Sequence, residues 1–236
     1  AKLADIPGVV KIYDTFTTNK TGYIIMEYLD GETVKDRLDR EGIIPCKEAV
    51  DIIASVLSTL AAVHPTGIIH RDISPGNIFL TKSGEIKLID FGAARYASAT
   101  HTKSLSIILK PGYAPEEQYR SRGQQGPWTD VYATAATMYR MITGVTPQES
   151  IERVGRDELK DPSKLGADLT KNQENAMMNA LNITAETRTQ TAEQFLADLM
   201  SDVDVVRNKI MQRKKDEGKW PIWLKIVAGV VPLAVI

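Results

Sequence analysis

The stretch His70-Arg71-Asp72-Ile73-Ser74-Pro75-Gly76-Asn77 is followed, after a short connection, by Asp90-Phe91-Gly92. Together they supply two carboxylates and one carboxamide close together in the chain. Such oxygen donors bind Mg²⁺, and a positioned carboxylate is a common proton acceptor. The stretch therefore predicts a proton acceptor beside a divalent-metal site, and few soluble folds need this set of residues for structure alone.

These motifs resemble the catalytic loop and the metal-binding loop of the eukaryotic-like protein kinase family. The resemblance implies that Asp72 accepts or orients the proton of an attacking hydroxyl, while Asn77 and Asp90 hold Mg²⁺ (or Mn²⁺) on ATP. It also implies that Arg71 binds a phosphate on the loop after Asp90, because a guanidinium is a planar, permanently charged phosphate ligand. Overall similarity favours a serine/threonine kinase of bacterial type, with protein hydroxyls as substrates.

The same resemblance implies an α+β, protein-kinase-like fold, with an incomplete small lobe and a mainly helical large lobe. Residues 1–30 are expected to be a remnant of the small lobe and the hinge, and residues 31–200 the large lobe. Residues 201–219 are expected to form a basic juxtamembrane segment, and residues 220–236 the start of a transmembrane helix.

Composition agrees with one large domain or two small ones, and with an ample core. The chain has 236 residues, of which 43% are hydrophobic and 25% are charged. Its formal net charge of -1 gives no global attraction to nucleic acid, so no nucleic-acid partner is expected. Cys46 is the single cysteine, so an intrachain disulfide is excluded.

The two ends of the sequence predict a piece of a membrane-anchored protein. The chain begins Ala1-Lys2-Leu3 without methionine, and from Trp220 to Ile236 it is almost wholly apolar. This apolar run is shorter than the ~20 residues of a membrane span, so it is expected to continue beyond the sequence. The preceding basic excess indicates a single pass through the cell membrane with the kinase region in the cytoplasm. The alternative is a hydrophobic C-terminal helix docked on the domain. The basic residues of this flank are Arg207, Lys209, Arg213, Lys214, Lys215 and Lys219.

Two β-hairpins are predicted from runs of apolar and β-branched residues. In the first, Val9–Phe16 and Tyr23–Tyr28 flank the turn-rich connection Thr17–Gly22. In the second, Phe79-Leu80 pairs with Ile86–Ile89. The second hairpin begins just after the carboxamide and ends just before the second carboxylate of the opening motifs, so strand pairing is expected to bring these two metal ligands together.

Helices are predicted on both sides of the second hairpin. Apolar residues recur at helical spacing from Ala49 to Ala61, and His64-Pro65-Thr66-Gly67 ends that helix. A further helix is expected from Asp130 to a stop at Gly144. Capping boxes predict two more helix starts, at Thr170 with Gln173 and at Thr191 with Gln194.

The resemblance also assigns residues to the nucleotide. Met26 is expected behind the adenine, the main chain from Glu27 to Leu29 at its edge, and Glu32 at the ribose. Phe79 is expected to pack beneath the adenine ring. For apolar residues at a strand end, an ordinary place in the core is the alternative.

Ser74 and Lys110 depart from the family pattern. Serine/threonine kinases usually have lysine where this chain has Ser74, and they commonly have threonine where it has Lys110. If the two loops face each other, the cation and the hydroxyl have exchanged places. Lys110 is then expected to neutralise the transferring phosphate; the alternative is an exposed loop lysine.

The loop after Asp90-Phe91-Gly92 is rich in hydroxyls, with Ser98, Thr100, Thr102, Ser104 and Ser106. This loop is predicted to be phosphorylated. Self-association of the protein is the expected route to autophosphorylation. The alternative is a flexible polar loop.

The segment that ends this loop is expected to make a buried ion pair with Arg188. Its carboxylate is Glu116 if the Ala-Pro-Glu motif is counted directly, and Glu117 if it is counted from Tyr113 by the family interval. Glu117 is the preferred assignment. Asp130 resembles the aspartate that braces the catalytic-loop main chain.

The sequence contains no glycine-rich phosphate loop, and no ATP-binding lysine with its helix glutamate is recognised. The chain by itself is therefore expected neither to bind ATP tightly nor to transfer phosphate. Two alternatives to a kinase fragment stay open. One is a pseudokinase scaffold, and the other is a small-molecule phosphotransferase of the aminoglycoside or choline kinase type.

Overall fold

The computed structural model describes residue 3, residues 5–91, the main chain of residues 95 and 96, and residues 109–208. The predicted phosphorylation loop from Ser98 to Ser106, the segment 209–219 and the apolar run 220–236 lie outside these residues. The helices and strands are β1 (Ile12–Thr18), β2 (Thr21–Met26), β3 (Gly31–Thr33), α1 (Val34–Glu41), α2 (Cys46–Val63), β4 (Ile68–Ile69), β5 (Ile78–Thr81), β6 (Ile86–Leu88), β7 (Arg95–Tyr96), α3 (Pro127–Thr143), α4 (Ser150–Gly155), α5 (Lys171–Ala180) and α6 (Ala192–Leu199).

The first hairpin forms, but its turn is tighter than predicted. Strands β1 and β2 extend into the expected connection and leave only Asn19 and Lys20 between them. Both residues have positive φ angles, 50° and 60°. A two-residue hairpin turn needs this geometry at both central positions, and asparagine adopts it more readily than most residues. The predicted connection therefore lies at the right place in the sequence but is longer than the turn in the structure.

This hairpin leaves apolar side chains in solvent on both faces. Within the described residues, β1 and β2 pair only with each other. Tyr13 is 67% exposed and Ile24 is 57% exposed. Phe16 and Tyr23 lie opposite each other and stack, with ring centroids 5.1 Å apart. A stacked pair stabilises the ribbon but does not bury it.

The second hairpin forms as predicted, from β5 and β6. Strand β3 pairs with the other edge of β5, which gives a three-stranded antiparallel sheet in the order β3-β5-β6. The chain before the first hairpin joins this sheet, since Val10 N donates to Leu88 O at 3.0 Å and Leu88 N donates to Gly8 O at 2.6 Å. The N-terminal part is thereby fixed to the edge of the hairpin that carries the predicted metal ligands.

A helical lobe holds most of the hydrophobic core. The predicted helix over residues 49–61 is the central part of α2, which packs on α3 and α6. Most of its apolar positions are buried, Ile53, Val56 and Leu57 completely. The predicted stop is confirmed, because a short 3-10 helix spans His64–Thr66 and Gly67 follows in the left-handed conformation.

The predicted start and end signals of the later helices were largely correct. Helix α3 begins at Pro127, a few residues before the predicted position, with proline in its favoured first turn and Gly144 as its C-cap. The capping box of Thr170 is complete. Thr191 accepts from Gln194 N at 3.1 Å, whereas the Gln194 side chain reaches the main chain of Gln190 at 3.5 Å, so the second box is only half formed.

The expectation of an α+β fold is confirmed by small antiparallel sheets followed by a helical lobe. Among the described residues, no helix has the length and apolar character needed to cross a membrane. The run from Trp220 to Ile236 lies outside the described residues, so its membrane role stays a prediction.

Candidate active site

Asp72 and Asn77 are joined by hydrogen bonds. Nδ2 of Asn77 donates to the main-chain oxygen of Asp72 at 2.7 Å and to Asp72 Oδ2 at 2.9 Å. A short 3-10 helix, Pro75–Asn77, turns the chain back so that this contact forms. Asn77 is buried, while the side chain of Asp72 is 23% exposed. The amide thus holds the carboxylate in place while part of the carboxylate stays open to solvent.

Strand pairing brings Asn77 beside the segment that ends in Asp90. The main-chain oxygen of Asn77 accepts from Ile89 N at 3.0 Å, one residue before Asp90. Asp90 has a φ angle of 61°, an uncommon value for a residue other than glycine. Such main-chain conformations occur often where a side chain is held for function. Asn77 and Asp90 therefore lie in adjoining segments, as the hairpin argument predicted, and Asp72 is joined to Asn77 by hydrogen bonds.

The chemistry of these side chains fits a magnesium ion bound to phosphates. Both hydrogen bonds of the Asn77 side chain use its nitrogen, so its carbonyl oxygen is not consumed by them. Mg²⁺ commonly takes one or two carboxylates and fills its remaining positions with water and substrate phosphates. No group of three or more His, Cys, Asp or Glu side chains suited to a metal ion is found in the described part of the chain. Asn77 Oδ1 and the Asp90 carboxylate are the oxygen donors that would hold the ion.

Asp130 fixes the main chain of the catalytic loop from below. Its carboxylate accepts from His70 N at 2.8 Å and from Arg71 N at 2.7 Å. On the other side, Gln118 Nε2 donates to Arg71 O at 2.8 Å. Arg71 has a φ angle of 72°, and with both of its main-chain polar groups bonded this strained conformation is held firmly. The main chain directly before Asp72 is therefore held in one position, which also limits where the Asp72 carboxylate can lie.

The ionisation of this frame follows from its burial and its partners. Burial alone would raise the pKa of Asp130, but His64, whose Nε2 lies 2.9 Å from Asp130 Oδ2, and Arg71 N hold that pKa below its ordinary value. His70 is completely buried, and desolvation lowers its pKa. Its Nε2 lies 3.1 Å from Ile89 O and its ring packs against Phe91. His70 is therefore a neutral packed residue that ties the catalytic loop to the Asp90 segment.

Lys110 reaches Asp72 and Ser74. Its Nζ lies 2.9 Å from Asp72 Oδ2 and donates to Ser74 Oγ at 2.9 Å. Ser74 is buried, whereas the Lys110 side chain is 38% exposed. The two loops face each other, as the proposed exchange of cation and hydroxyl requires. A merely exposed loop lysine would not make these two contacts.

The turn after Lys110 directs its chain toward the catalytic loop. Its main-chain oxygen accepts from Tyr113 N at 3.1 Å and from Ala114 N at 3.2 Å. Gly112 has a φ angle of 82°, and a Cβ there would lie 2.7 Å from Pro147 O. Only glycine fits that conformation and that space without a shift of the main chain. The sequence Lys110-Pro111-Gly112 thus builds a rigid base for the ammonium.

The residues assigned to the nucleotide lie on β2, on the connection from β2 to β3, on β3 and on β5. Met26 ends β2 and is 46% exposed, and Leu29 follows it at intermediate burial. Phe79 lies in the middle strand of the three-stranded sheet. Glu27 N donates to Lys11 O at 2.9 Å, so its main-chain oxygen is the atom that could face an adenine edge. Glu32 makes a bidentate ion pair with Arg40, so a ribose hydroxyl would have to share or replace that partner.

The Arg71 side chain is largely buried at the start of α3. Its Nε donates to Gln125 Oε1 at 2.5 Å. The phosphorylated residue that Arg71 is expected to bind falls in the loop outside the described residues. Its role as a phosphate ligand therefore stays a prediction.

The buried ion pair is made by Glu117. Arg188 Nη1 lies 2.7 Å from Glu117 Oε1, and Arg188 Nη2 lies 3.2 Å from Glu117 Oε2. Thr129 also donates to Glu117 at 3.0 Å. Glu116 instead pairs with Arg120 at 2.5 Å. The family interval counted from Tyr113 selected the correct carboxylate.

Several contacts of the site were not foreseen. Gln118 and Gln125 hold the two sides of Arg71, and His64 is a third partner of Asp130. The glutamines carry no pattern that distinguishes them from other loop amides. His64 was assigned only to a helix stop, although its place directly before the catalytic stretch was a usable signal.

With this geometry established, comparison with known proteins gives the family. The sequence profile named "Protein kinase domain" matches residues 1–217. The chain belongs to the protein kinase family. It is 33% identical over 207 residues to the serine/threonine-protein kinase PknB of Mycolicibacterium smegmatis. The matched region covers 82% of this chain and 33% of that protein. The chain is 30% identical over 226 residues to PrkC of Bacillus subtilis, which covers 92% of this chain and 35% of that protein.

A third relative is a probable serine/threonine-protein kinase of Clostridium perfringens, 31% identical over 201 residues, with 82% of this chain and 29% of that protein covered. The chain thus spans about a third of the length of the curated relatives it matches. The expected kinase-like fold is confirmed, and the serine/threonine kinase character is supported by these relatives. Protein kinases use ATP and Mg²⁺, which agrees with the oxygen donors described above.

Proposed function

We propose that this chain carries the catalytic lobe of a serine/threonine protein kinase that transfers the γ-phosphate of ATP to hydroxyls of protein substrates. The observation that supports this most is the cluster around one carboxylate. Asp72 Oδ2 lies 2.9 Å from Asn77 Nδ2 and 2.9 Å from Lys110 Nζ. Lys110 belongs to the segment between the metal-binding loop and Glu117. A pseudokinase scaffold or a small-molecule phosphotransferase would have no need of a lysine from that segment beside the Asp72 carboxylate.

Each residue of this cluster has a distinct task. Asp72 accepts a hydrogen bond from the substrate hydroxyl and orients its oxygen toward the γ-phosphate. Asn77 holds the Asp72 rotamer through its nitrogen and offers its oxygen to a divalent cation, as does Asp90. When bound, Mg²⁺ neutralises the charge that develops on the phosphates. The protein contributes positioning of the acceptor hydroxyl and charge compensation.

Lys110 supplies a positive charge next to the transferring phosphate. An ammonium at 2.9 Å from Asp72 Oδ2 lies where the acceptor oxygen and the γ-phosphate must meet. Ser74 fixes the ammonium by accepting a hydrogen bond from it. Lys110 is thus proposed to replace the cation that related kinases place two residues after the catalytic aspartate, with Ser74 as its positioning residue.

Nucleotide binding is proposed to involve Met26, the Glu27–Leu29 main chain, Glu32 and Phe79, in a longer kinase of which this chain is a part. The sequence contains no glycine-rich loop over the phosphates, so the chain alone is proposed to bind ATP weakly and to transfer no phosphate. Calorimetric titration with a non-hydrolysable ATP analogue in Mg²⁺ tests this. Micromolar affinity of the chain alone would refute it.

Regulation and location are proposed on sequence grounds. Phosphorylation between Ser98 and Ser106, through self-association of the longer kinase, is proposed to engage Arg71. Mass spectrometry after incubation with ATP would refute it by finding no phosphate there.

The basic flank from Arg207 supports a single membrane pass beginning near Trp220, with the kinase region cytoplasmic. Recovery of the longer protein in the soluble fraction, without detergent, would refute the membrane anchor.

Transfer of labelled phosphate to casein by the longer kinase tests the proposed function. Asp72→Asn and Asp90→Asn are each expected to lower the rate by at least about a hundredfold. Asp39→Asn is the matched control, because Asp39 lies on the exposed side of α1 and is 58% exposed. Nucleotide binding without transfer in the unaltered protein would favour a pseudokinase. Transfer to small alcohols but not to proteins would favour a small-molecule phosphotransferase.

A further inference from the structure

One face of α5 is lined with asparagines that do not serve the catalytic site. Asn172, Asn175 and Asn179 follow helical spacing, so they share a face. Asn172 is half-buried, and the other two are more than nine-tenths buried. Asparagine is a poor helix former, so a row of three in one short helix requires another explanation. That explanation lies in the chain segment that crosses this face.

The asparagine face binds the main chain of residues 201–208. Asn172 Nδ2 donates to Ser201 O at 3.1 Å and to Val203 O at 3.0 Å, while Asn172 Oδ1 accepts from Val205 N at 3.1 Å. A primary amide offers a donor and an acceptor side by side, as the edge of a β-strand does. Asn172 therefore holds an extended chain by the groups that every residue has.

The other two asparagines continue the same pattern. Asn175 Nδ2 donates to Val205 O at 2.8 Å, and Asn179 Nδ2 donates to Val206 O at 2.9 Å. Asn179 Oδ1 accepts from Asn208 N at 2.7 Å. The amide side chains thus bond the segment at successive points along its length, from its first residue to its last.

The side chains of the segment bury little apolar surface in this contact. Val203 is 76% exposed and Val206 is 78% exposed. Val205 is the apolar exception, since it packs against the core cluster. Near the end, Arg207 Nη1 lies 2.7 Å from Asp161 Oδ1, and Asn208 Nδ2 donates to Thr187 O at 2.9 Å. Most of the attachment is therefore main-chain hydrogen bonding rather than burial of apolar surface.

We propose that the asparagine face of α5 is a docking surface for an extended chain, and that residues 201–208 are its occupant, which detaches and rebinds as a unit while the helical lobe stays folded. Hydrogen bonds that are replaced by water on release have small net free energies, so a segment held mainly by them opens more readily than the core. Docking holds Asn208 against Asn179 and against the main chain of Thr187. Detachment adds residues 201–208 to the flexible connection between α6 and the residues after 208.

Residue-resolved amide hydrogen exchange on the unaltered chain gives the first test. The N–H groups of Val205 and Asn208 donate hydrogen bonds to asparagine side-chain oxygens. These two amides are expected to be protected from exchange to the same degree, and less strongly than amides in the middle of α2. Exchange of these two amides at the rate of a free peptide would overturn the proposal, because no docking would exist. Protection equal to that of α2 would also overturn it, because the segment would not open separately.

A variant pair identifies the role of the asparagine itself. Asn172→Ala removes the acceptor of Val205 N but raises the intrinsic helix propensity of α5, so the helix is not weakened. The same substitution removes the two hydrogen bonds from Asn172 Nδ2 to Ser201 O and Val203 O. Exchange of the Val205 amide is therefore expected to rise at least about tenfold, while amides of α5 and α6 keep their rates. Val203→Ala, which alters an exposed side chain in the same segment, is expected to change no rate. An unchanged Val205 rate in Asn172→Ala, or an equal rise in α5 and α6, would overturn the proposal.

Discussion

The ammonium of Lys110 lies 2.9 Å from Oδ2 of Asp72, although in the sequence Asp72 precedes Asp90 and Lys110 follows it by a long loop. The same ammonium is bonded to Ser74, two residues after Asp72. A positive charge therefore stands beside the proposed base without a lysine in the catalytic loop itself. We propose that this charge takes the place of the lysine that related kinases have in the catalytic loop.

Loss of Glu117 is expected to destabilise the lobe strongly. Glu117→Ala leaves the buried Arg188 guanidinium without its carboxylate partner, and breaking a buried pair in this way costs about 3 to 5 kcal/mol. Urea unfolding followed by circular dichroism measures the change. Glu158→Ala is the matched control, because its pair with Arg156 is exposed and is expected to be worth less than about 1 kcal/mol. Equal effects of the two substitutions would contradict the assignment.

Asp130 is expected to make the stability of the lobe depend on pH. Its folded-state pKa is lower than its unfolded value of about 3.9, so its contribution is present above that pH and is lost as pH falls through the lower folded value. Asp130→Asn removes an acceptor from His70 N or Arg71 N and is expected to cost about 2 to 3 kcal/mol at neutral pH.

The stability difference between the unaltered chain and Asp130→Asn should shrink below about pH 4, because the protonated aspartic acid loses the same advantage. Unfolding free energies at a series of pH values measure this difference. A difference that is constant from pH 7 to pH 3 would show that the charge of Asp130 contributes nothing.

The exposed hairpin is expected to cause self-association of this chain. Two-stranded ribbons with apolar side chains and open edges pair with other copies. Ile24→Lys places a charge in the middle of β2 and is expected to lower the weight-average mass found by sedimentation at equal concentration. Val145→Lys, at a 50% exposed position beyond α3, is the control and should have no effect. If both variants associate as the unaltered chain does, the hairpin is not the contact.

The parts of the fold that follow from local chemistry were predictable. The spacing of apolar residues located α2, the glycine and proline signals located its end, and the pairing of β5 with β6 followed from turn residues around Gly84. Contacts between side chains far apart in sequence were predictable only where the family resemblance supplied them, as for Arg188 with Glu117.

The features that were missed depend on tertiary placement. Gln118 and Gln125 are ordinary loop amides until the fold brings them to Arg71. The asparagines of α5 stood at helical spacing and were a visible pattern, but their partner is the main chain of a segment with no distinctive composition. Hydrogen bonds to main chain leave almost no trace in the sequence of the segment that is bound.

The most direct test of the account is to return the cation to the place that related kinases use. Phosphate transfer by the longer kinase would be measured for Lys110→Thr, Ser74→Lys and the double variant. Lys110→Thr is expected to lower the rate by at least about tenfold, because charge next to the transferring phosphate is lost, and the double variant is expected to recover most of that loss. A Lys110→Thr enzyme with near-normal turnover, or a double variant no faster than it, would contradict the proposed role of Lys110.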